Sequence, residues 1–432
     1  MLAFTTVYAR ELTVGPGKQF PSIMHANAAA RPGDVILVHP LPGDKPYSQV
    51  AIFVRQKNIT FRAVPAKGKR WVRLSGEGFD YSGRGSTPRA MFQFNRGTDN
   101  CTLEGFDLSG AMNKSFNGAG VRINQANNVT IRNCNIHGNG MGAMSNGDGS
   151  QSTGVNQLFE NCVLHSNGDK RHPGYNHNLY LGGTSVTLRG CEVYGAVTGH
   201  NVKSRAHYTR IEYSYIHDSA NREFDLVDAK DTERPGSHAV LVGNIIVKDF
   251  RCRGNRAVIH FGQDGGKQHD GTIHLVHNTI VSPFVSPVVD LSTSKAKAHL
   301  VGNIICDGGV RQNGQKLVNC RKGSQPAGVT GTLNWFSGGF GASIQGTGLD
   351  KKNAIGPSGA MLFVDISKKN YTIAPTLKKT FAAGVAPATI TIPAVPGGKA
   401  LELLSLQYKH QAGTEKRKKE QKPTLGAYSG AP

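Results

Sequence analysis

Two similar segments of the sequence, HNLYLGG (177–183) and HNVKSRA (200–206), carry a tyrosine, a lysine and an arginine. Both segments begin His-Asn-apolar, and they differ where Tyr180 is replaced by Lys203 and a glycine by Arg205. A lysine beside an arginine loses basicity, because a neighbouring cation disfavours its charged form. Lys203 is therefore a candidate general base, Tyr180 a candidate proton donor, and Arg205 a candidate bidentate ligand for a carboxylate.

This set of side chains suits removal of a proton that lies next to a carboxylate. In a uronic acid the base takes the C5 proton, an acid protonates the departing O4, and the carboxylate charge must be neutralised. The net charge of +21, from 50 Lys and Arg against 29 Asp and Glu, likewise predicts an acidic partner. Charge alone also fits nucleic acid, but the basic residues are scattered along the chain, so an acidic polysaccharide is the preferred partner.

The elements that position these side chains repeat along the chain. Segments such as VTIRNCNIHG, VTLRGCEVYG and AHLVGNIICD align with each other at spacings of 23 to 34 residues, and apolar residues alternate on both sides of one column. That column consists of Phe106, Cys134, Cys162, Cys191, Ser214, Asn244, Asn278 and Asn303. A unit of two or three short strands with no helical period is typical of one coil of a parallel β-helix.

An all-β solenoid explains both the column and the ends of the repeat. Equivalent residues of successive coils stack about 4.8 Å apart, so the cysteines of the column are predicted to fill the core rather than to bind metal or form disulfides. Ahead of the repeat, an amphipathic helix is predicted to cap the open end of the solenoid. Its apolar face comprises Ile23, Ala26, Ala29 and Ala30.

The chain divides into three predicted parts. Residues 1–11 are interpreted as the remnant of an export signal, because MLAFTTVYA is apolar and ends like a signal-peptidase site. Residues 12–320 form the β-helix, and 321–432 form C-terminal coils and an irregular tail that packs on it. We therefore expect a secreted or periplasmic monomer, and no apolar run reaches the roughly 20 residues that span a bilayer.

Period-two alternation assigns side chains to the two faces of a strand. Leu179 and Val202 are predicted to point into the core, so Tyr180 and Lys203 point outward on adjacent coils. His177 and His200 stack at the strand entrance, where the pattern leaves their side undecided. The other predicted outward residues are Asn178, Asn201, Arg205, Asp225, His260 and Arg122. Of these, Asn178, Asn201 and Asp225 are predicted to form a neighbouring row. Asp228 is predicted to point inward.

The predicted site follows from these positions. Its catalytic candidates are Lys203, Tyr180, Arg205, His177 and His200, and its substrate-binding candidates are Asn178, Asn201, Asp225, His260, Arg122 and Arg222. No cofactor is required by this set, but Ca²⁺ is possible, because Asp225 with Glu223 or Asp228 offers carboxylate oxygens for it. A salt bridge from Asp225 to Lys203 or Arg205 explains the same carboxylate without a metal.

The capping helix, the coil pattern, the Asn column and the segments HNLYLGG, HNVKSRA and EFDLVD together resemble the right-handed parallel β-helix, pectin lyase-like superfamily. Within it, the chain is similar to secreted bacterial polysaccharide lyases over about residues 12–320. The resemblance implies a single-stranded right-handed parallel β-helix with a stacked Asn row, and a lyase acting on a uronic acid-containing polysaccharide. Alginate and chondroitin lyases of the superfamily use a Lys or Arg base on such a strand, which Lys203 and Arg205 match. Arg222 is the candidate for a second arginine acting as the acid.

Other function classes remain open at this point. A glycoside hydrolase of the same fold needs two or three outward carboxylates, of which the register supplies Asp225. A C5-epimerase shares the first step of the lyase reaction and has the same sequence pattern. A non-catalytic carbohydrate-binding protein would present aromatic platforms, whereas the outward strand positions supply mainly Tyr180.

Overall fold

The computed structural model describes residues 9–265, 269–382, 384, 387–398, 402–420 and 423–429, and most of its strands belong to three parallel sheets. Sheet A contains Glu11–Val14, Val35–Val38, Thr60–Ala63, Thr102–Glu104, Thr130–Arg132, Gln157–Glu160, Ser185–Arg189, Tyr208–Glu212, Ala239–Val242, Thr272–Val276, Lys297–Val301, Val329–Thr332 and Gly348–Leu349. Sheet B contains Val72–Ser75, Phe106–Ser109, Asn135–His137, Val163–His165, Glu192–Tyr194, Tyr215–His217, Ile245–Val247, Thr279–Val281, Ile304–Cys306, Trp335–Phe336 and Ala354–Ile355. Sheet C contains Ile52–Phe53, Ala90–Asn95, Ala119–Asn124, Met141–Asn146, Leu179–Leu181, Val202–Ser204, Phe224–Val227, Ile259–Gly262, Val289–Leu291 and Val318–Cys320.

Successive coils contribute one strand to each sheet, and each strand pairs in parallel with its equivalent in the neighbouring coil. The predicted parallel β-helix is therefore confirmed. Leu179 pairs with Val202 and Val202 with Phe224, and all three side chains are completely buried, as the alternation predicted. The stacking continues past the repeat visible in the sequence, because Trp335–Phe336 pairs with Ala354–Ile355.

A sharp corner between sheets A and B explains which residue types precede the aligned column. In coil after coil this residue has a positive φ, for example +61° at Gly190 and +53° at Asn133. Glycine and asparagine adopt this left-handed conformation most readily. The corner is nevertheless kept where the sequence has Tyr213 or His277, with φ of +51° and +50°. Stacking against neighbouring coils thus holds the conformation where the residue itself does not favour it.

The column itself forms a continuous interior ladder. Cys134, Cys162 and Cys191 are buried thiols without disulfides, as predicted. Further along, the amide of Asn244 donates to Asn278 (2.9 Å) and that of Asn278 donates to Asn303 (3.1 Å). The ladder also extends through Asn334 and Asn353, which the sequence alignment had not included. Each buried amide is thereby satisfied by its neighbour along the axis.

A second interior ladder was not predicted. Asn139 donates to Asn167, Asn167 to Asn178, and Asn178 to Asn201, over distances of 3.1, 2.9 and 2.8 Å. The last amide donates to Glu223 (2.6 Å), whose carboxylate pairs with Lys248 at 3.3 Å. Both charged side chains are fully buried, and burial raises the pKa of Glu223 above its ordinary value. The polar ladder thus ends in an ion pair inside the solenoid.

The N-terminal end is closed by the predicted helix, Ile23–Ala29, which Ser22 caps. Ile23 and Ala26 face the core, but Ala29 is exposed, and Asn27 takes the inward place because its amide donates to the carbonyl of Phe53 (2.8 Å). The predicted inward position of Ala29 was therefore wrong. Two further short helices span Gly341–Ile344 and Lys378–Phe381. Within the described part of the chain, no helix has the length and apolar character of a membrane span.

The C-terminal segment runs over the outside of the solenoid and forms two antiparallel hairpins. These pair Phe363–Asp365 with Asn370–Ile373 and Leu406–Lys409 with Gly413–Lys416. Described side chains of this segment form buried apolar clusters with residues of sheets A and B, and those clusters contain no residue from the strands of sheet C. Residues 1–8 of the predicted export-signal remnant lie outside the described residues.

Candidate active site

One row of side chains runs along the outer face of sheet C and collects most of the candidate chemistry. Register pairs connect its members strand by strand, so adjacent members lie about 4.8 Å apart. The row is Arg122, Met144, Tyr180, Lys203, Asp225, His260, Asp290 and Asn319. The predicted adjacency of Tyr180 and Lys203 is confirmed. Asp225, which the sequence assigned to a neighbouring row, follows Lys203 in the same row.

Asp225 is the electrostatic centre of the row. Its carboxylate accepts from Nδ1 of His260 at 2.8 Å and pairs with Nζ of Lys203 at 3.0 Å. Arg222 contacts the same carboxylate at 3.3 Å, and Nε2 of His200 lies 3.4 Å from it. Burial alone would raise the pKa of Asp225, but the His260 hydrogen bond and the surrounding positive charges hold it well below its ordinary value. A salt bridge to Lys203 was one of the two roles the sequence left open for this residue.

Lys203 and Arg205 converge on a second carboxylate, that of Asp264. One oxygen of Asp264 lies 2.6 Å from Nζ of Lys203 and 2.7 Å from Nη2 of Arg205. The guanidinium of Arg205 also lies over the ring of Tyr180, 5.7 Å from its centroid. Lys203, Arg205 and Tyr180 thus share a single microenvironment, in which two cations bind one carboxylate group.

His177 and His200 both turn toward this surface. Their rings stack at 5.0 Å, and His177 also stacks on Tyr180 at 5.6 Å. Burial, together with the nearby positive charges, lowers the pKa of His177 well below its ordinary value and that of His200 to about 4. Nδ1 of His177 accepts a hydrogen bond from the backbone of His200 (3.0 Å), so the proton of its neutral ring is on Nε2. Near neutral pH both rings are therefore uncharged.

A serine next to the row forms a hydrogen-bonded chain with a histidine and an aspartate of the row. Ser292 Oγ lies 2.7 Å from Nε2 of His260, whose Nδ1 contacts Asp225. This order of groups matches that of a nucleophilic triad. Ser292 is, however, completely buried, and its oxygen accepts the backbone N–H of Gln263 (2.8 Å). We interpret the chain as a support that fixes the imidazole and, through it, the carboxylate of Asp225.

The predicted outward positions of Asn178 and Asn201 were wrong. Both side chains are completely buried and belong to the second interior ladder. The cause is local, because the strands begin only at Leu179 and Val202, and alternation does not hold in the turn that precedes a strand. These asparagines stabilise the coils that carry the site and do not reach its surface.

The predicted calcium ligands do not fit a calcium site. Glu223 lies in the interior against Lys248, and Asp225 is surrounded by cationic side chains that compete for its oxygens. Asp228 is buried and accepts the backbone N–H of Asp264 at 2.7 Å. Among the residues that the structure describes, no group of three or more His, Cys, Asp or Glu is arranged to hold a metal ion. Calcium therefore enters no step of the chemistry described below.

Two predicted arginines occupy different environments on this surface. Arg222 bridges the row, because it contacts Asp225 and lies 3.8 Å from Asp290. Arg122 lies two strands from Tyr180, in the direction away from Lys203, and Met144 stands between Arg122 and Tyr180. The sequence grouped both as substrate ligands, but only Arg222 touches the charged centre.

Three further residues complete the site and were not predicted from the sequence. Asp264 follows the strand Ile259–Gly262 in a loop, and Arg321 follows Val318–Cys320 and pairs with Asp290 at 2.8 Å. Arg89 precedes the strand Ala90–Asn95. All three stand just outside strands, where the repeat carries no period. The signal that could have found them is their place at the ends of strands of sheet C.

Comparisons with known proteins address the fold. No family model matches the sequence, and no curated protein matches it. An alginate lyase from Paenibacillus sp. is similar in structure, with a TM-score of 0.51 and 14% identity over 73% of this chain and 98% of that one. Pectate lyase Pel9A has a TM-score of 0.44 and 15% identity over 98% and 96% of the two chains. At 14% identity the likeness to the alginate lyase supports the parallel β-helix fold alone and does not identify a reaction.

Proposed function

We propose that the protein is a polysaccharide lyase that cleaves an acidic, uronic acid-containing polysaccharide by β-elimination. The observation that carries the proposal is the register pair of Tyr180 and Lys203, with Arg205 beside both, on a sheet face where coils repeat at regular intervals. Regularly spaced rungs suit a linear polymer. The net charge of +21 favours a polyanion over a neutral glycan.

The contacts of Asp264 indicate how a uronate would bind. Its carboxylate is held by Lys203 and Arg205 together, so the carboxylate of a sugar can take its place on Arg205. Such an exchange would free Nζ of Lys203 from Asp264. Arg205 would then neutralise the charge that develops on the substrate carboxylate as the C5 proton is removed.

Each proton then has an assigned carrier. Lys203, in its uncharged amine form, takes the C5 proton, and the phenol of Tyr180 gives a proton to O4 as the C4–O4 bond breaks. The electron pair left at C5 forms the C4–C5 double bond, so one product begins with an unsaturated uronate at its non-reducing end and the other ends in a new reducing end, whose hydroxyl carries the donated proton. Asp225 holds Lys203 in place through their 3.0 Å contact.

The carboxylates of the site argue against hydrolysis. A glycoside hydrolase needs a carboxylic acid that stays protonated near neutral pH, which requires a raised pKa. Burial acts in that direction on Asp225, Asp264 and Asp290, but hydrogen bonds and charges from neighbouring Lys, Arg, His and Asn side chains lower the pKa of all three. None is therefore suited to donate a proton to a leaving group.

The test follows product formation on five polymers: alginate, polyglucuronate, pectate, hyaluronan and chondroitin. We expect ultraviolet absorbance of an unsaturated uronate to grow with one of them. Lys203→Ala and Tyr180→Phe should each lower kcat by about 10²- to 10⁴-fold, as for loss of a general base or acid. The matched control is Lys295→Ala, which removes an exposed lysine paired with Asp270 and should leave kcat unchanged.

Three results would contradict the proposal, and each points to a different class. New reducing ends without the absorbance band would indicate a hydrolase. Deuterium incorporation at C5 in heavy water, without chain cleavage, would indicate a C5-epimerase. Binding of a polymer with no chemical change would indicate a carbohydrate-binding protein.

A further inference from the structure

Two arginines near the row have no acidic partner in the part of the chain that the structure describes. Arg122 belongs to the row itself, and Arg89 immediately precedes the strand Ala90–Asn95, which pairs with the strand of Arg122. Among the described residues, neither forms an ion pair within 4.0 Å, and the Nε atom of each is buried without a hydrogen-bond partner. The Nε atoms of Arg205 and Arg222 are buried without a hydrogen-bond partner as well, but each of these arginines contacts an aspartate.

The two guanidinium groups also act on each other. Burial and the positive charge of Arg89 lower the pKa of Arg122 below its ordinary value. Two like charges that are partly removed from water, with no counter-charge, disfavour the folded state. An anion bound between them would supply the missing charge and accept the unused N–H groups.

The surface between this pair and Tyr180 is apolar. Met144 stands between Arg122 and Tyr180 in the row, and it packs with Tyr180 against a small cluster of Ala90, Ala119 and Met141. The apolar face of a sugar ring can lie on such a floor while its charged group reaches an arginine. Cationic and apolar groups are therefore arranged along one line with the proposed catalytic residues.

We propose that Arg89 and Arg122 form a subsite for an anionic group of the polymer, a uronate carboxylate, with Arg122 two coils and Arg89 three coils away from Tyr180. Arg122 is separated from Tyr180 by about 10 Å, which exceeds one sugar residue and reaches beyond the cleaved linkage. The inference rests on the proposed function only for the path of the polysaccharide along the row. The binding of an anion by the two arginines does not depend on that function. The subsite would make the protein prefer polymers that carry recurrent negative charge over short or neutral glycans.

Binding is measured in the Lys203→Ala background, so that the polymer stays intact. The probes are alginate, which carries carboxylates, dextran sulfate, which carries sulfates, and neutral dextran. We expect Arg89→Ala/Arg122→Ala to weaken alginate binding by about 10- to 100-fold, the range for lost charge-assisted hydrogen bonds. The matched control is Arg62→Ala, which removes the same charge from sheet A and leaves Glu104 paired with Arg132. Circular dichroism checks that each variant is folded.

The outcomes separate the subsite from the lyase proposal. Equal alginate affinity in the double variant and its parent, or an equal loss in Arg62→Ala, would overturn the subsite. A loss with dextran sulfate but not with alginate would also overturn it, because the ligand would then be a sulfate. In the active protein the double variant should raise KM for long chains with kcat retained. If the protein proves not to be a lyase, the binding result stands on its own.

Discussion

Replacing Asp225 with asparagine removes the charge around which the site is organised. The side chain is 4% exposed, and its oxygens contact Lys203, Arg222 and His260 within 3.3 Å. Asparagine keeps the volume but presents an amide N–H to groups that are themselves donors. Breaking a buried charge network from one side costs about 3–5 kcal/mol. The free energy of unfolding of an ordinary domain is about 5–15 kcal/mol, so the loss is a large share of the total stability.

The assay must be local, because each coil of a solenoid contacts only its neighbours. Hydrogen–deuterium exchange of the strands Val202–Ser204, Phe224–Val227 and Ile259–Gly262 reports on the coils that share the network. A loss of 3 kcal/mol or more corresponds to about a 100-fold or greater fall in protection, since 1.4 kcal/mol is tenfold. Strands of the first coils, such as Val35–Val38, should keep their protection.

The pH dependence of the loss has a defined sign. The pKa of Asp225 is depressed in the folded protein, so its contribution to stability is fully present above the unfolded value of about 3.9. Below that value the contribution falls progressively, and it is lost once the pH has fallen through the lower folded pKa. We therefore expect the difference between parent and variant to stay constant from about pH 5 upward and to shrink below about pH 4.

Asp365→Asn is the matched control, because Asp365 pairs with Lys368 in the exposed C-terminal hairpin. It should leave exchange in the sheet C strands unchanged. Unaltered protection of those strands in Asp225→Asn would refute the reasoning, and so would an equal loss in the control. In either case Asp225 would not be the residue that holds Lys203, Arg222 and His260 together.

Three further predictions follow from the ion pairs. Lys248→Met should lower the free energy of unfolding in urea by about 3–5 kcal/mol, because it leaves the buried charge of Glu223 unpaired. Adding Glu223→Gln removes that charge and should recover part of the loss. If the second change does not help, the ion pair is not the cause of the destabilisation. Asp264→Asn should lower KM several-fold, because Lys203 and Arg205 no longer bind an internal carboxylate, and a raised KM would instead assign Asp264 to substrate binding. Treatment with a chelator should leave the rate of product formation unchanged, and a loss restored by Ca²⁺ would contradict the account given of Asp225.

Much of the fold was predictable because it repeats. The aligned column predicted stacked coils, and the alternation inside strands predicted that Leu179 and Val202 face the core while Tyr180 and Lys203 share the outer face. The same rule failed at Asn178, which lies in a turn before the strand begins. Period-two reasoning requires an extended backbone, and a corner of the coil does not provide one.

The sequence by itself determined the architecture and the pair of residues on which the proposed chemistry rests, since both follow from a period that any coil must obey. Only the tertiary structure decided what surrounds that pair. Asp264 reaches Lys203 from a position 61 residues later, in the loop that follows the strand Ile259–Gly262. Such contacts depend on how loops fold against neighbouring coils, and neither spacing nor alternation carries that information. The row is therefore set by local rules, and its electrostatics are set by non-local packing.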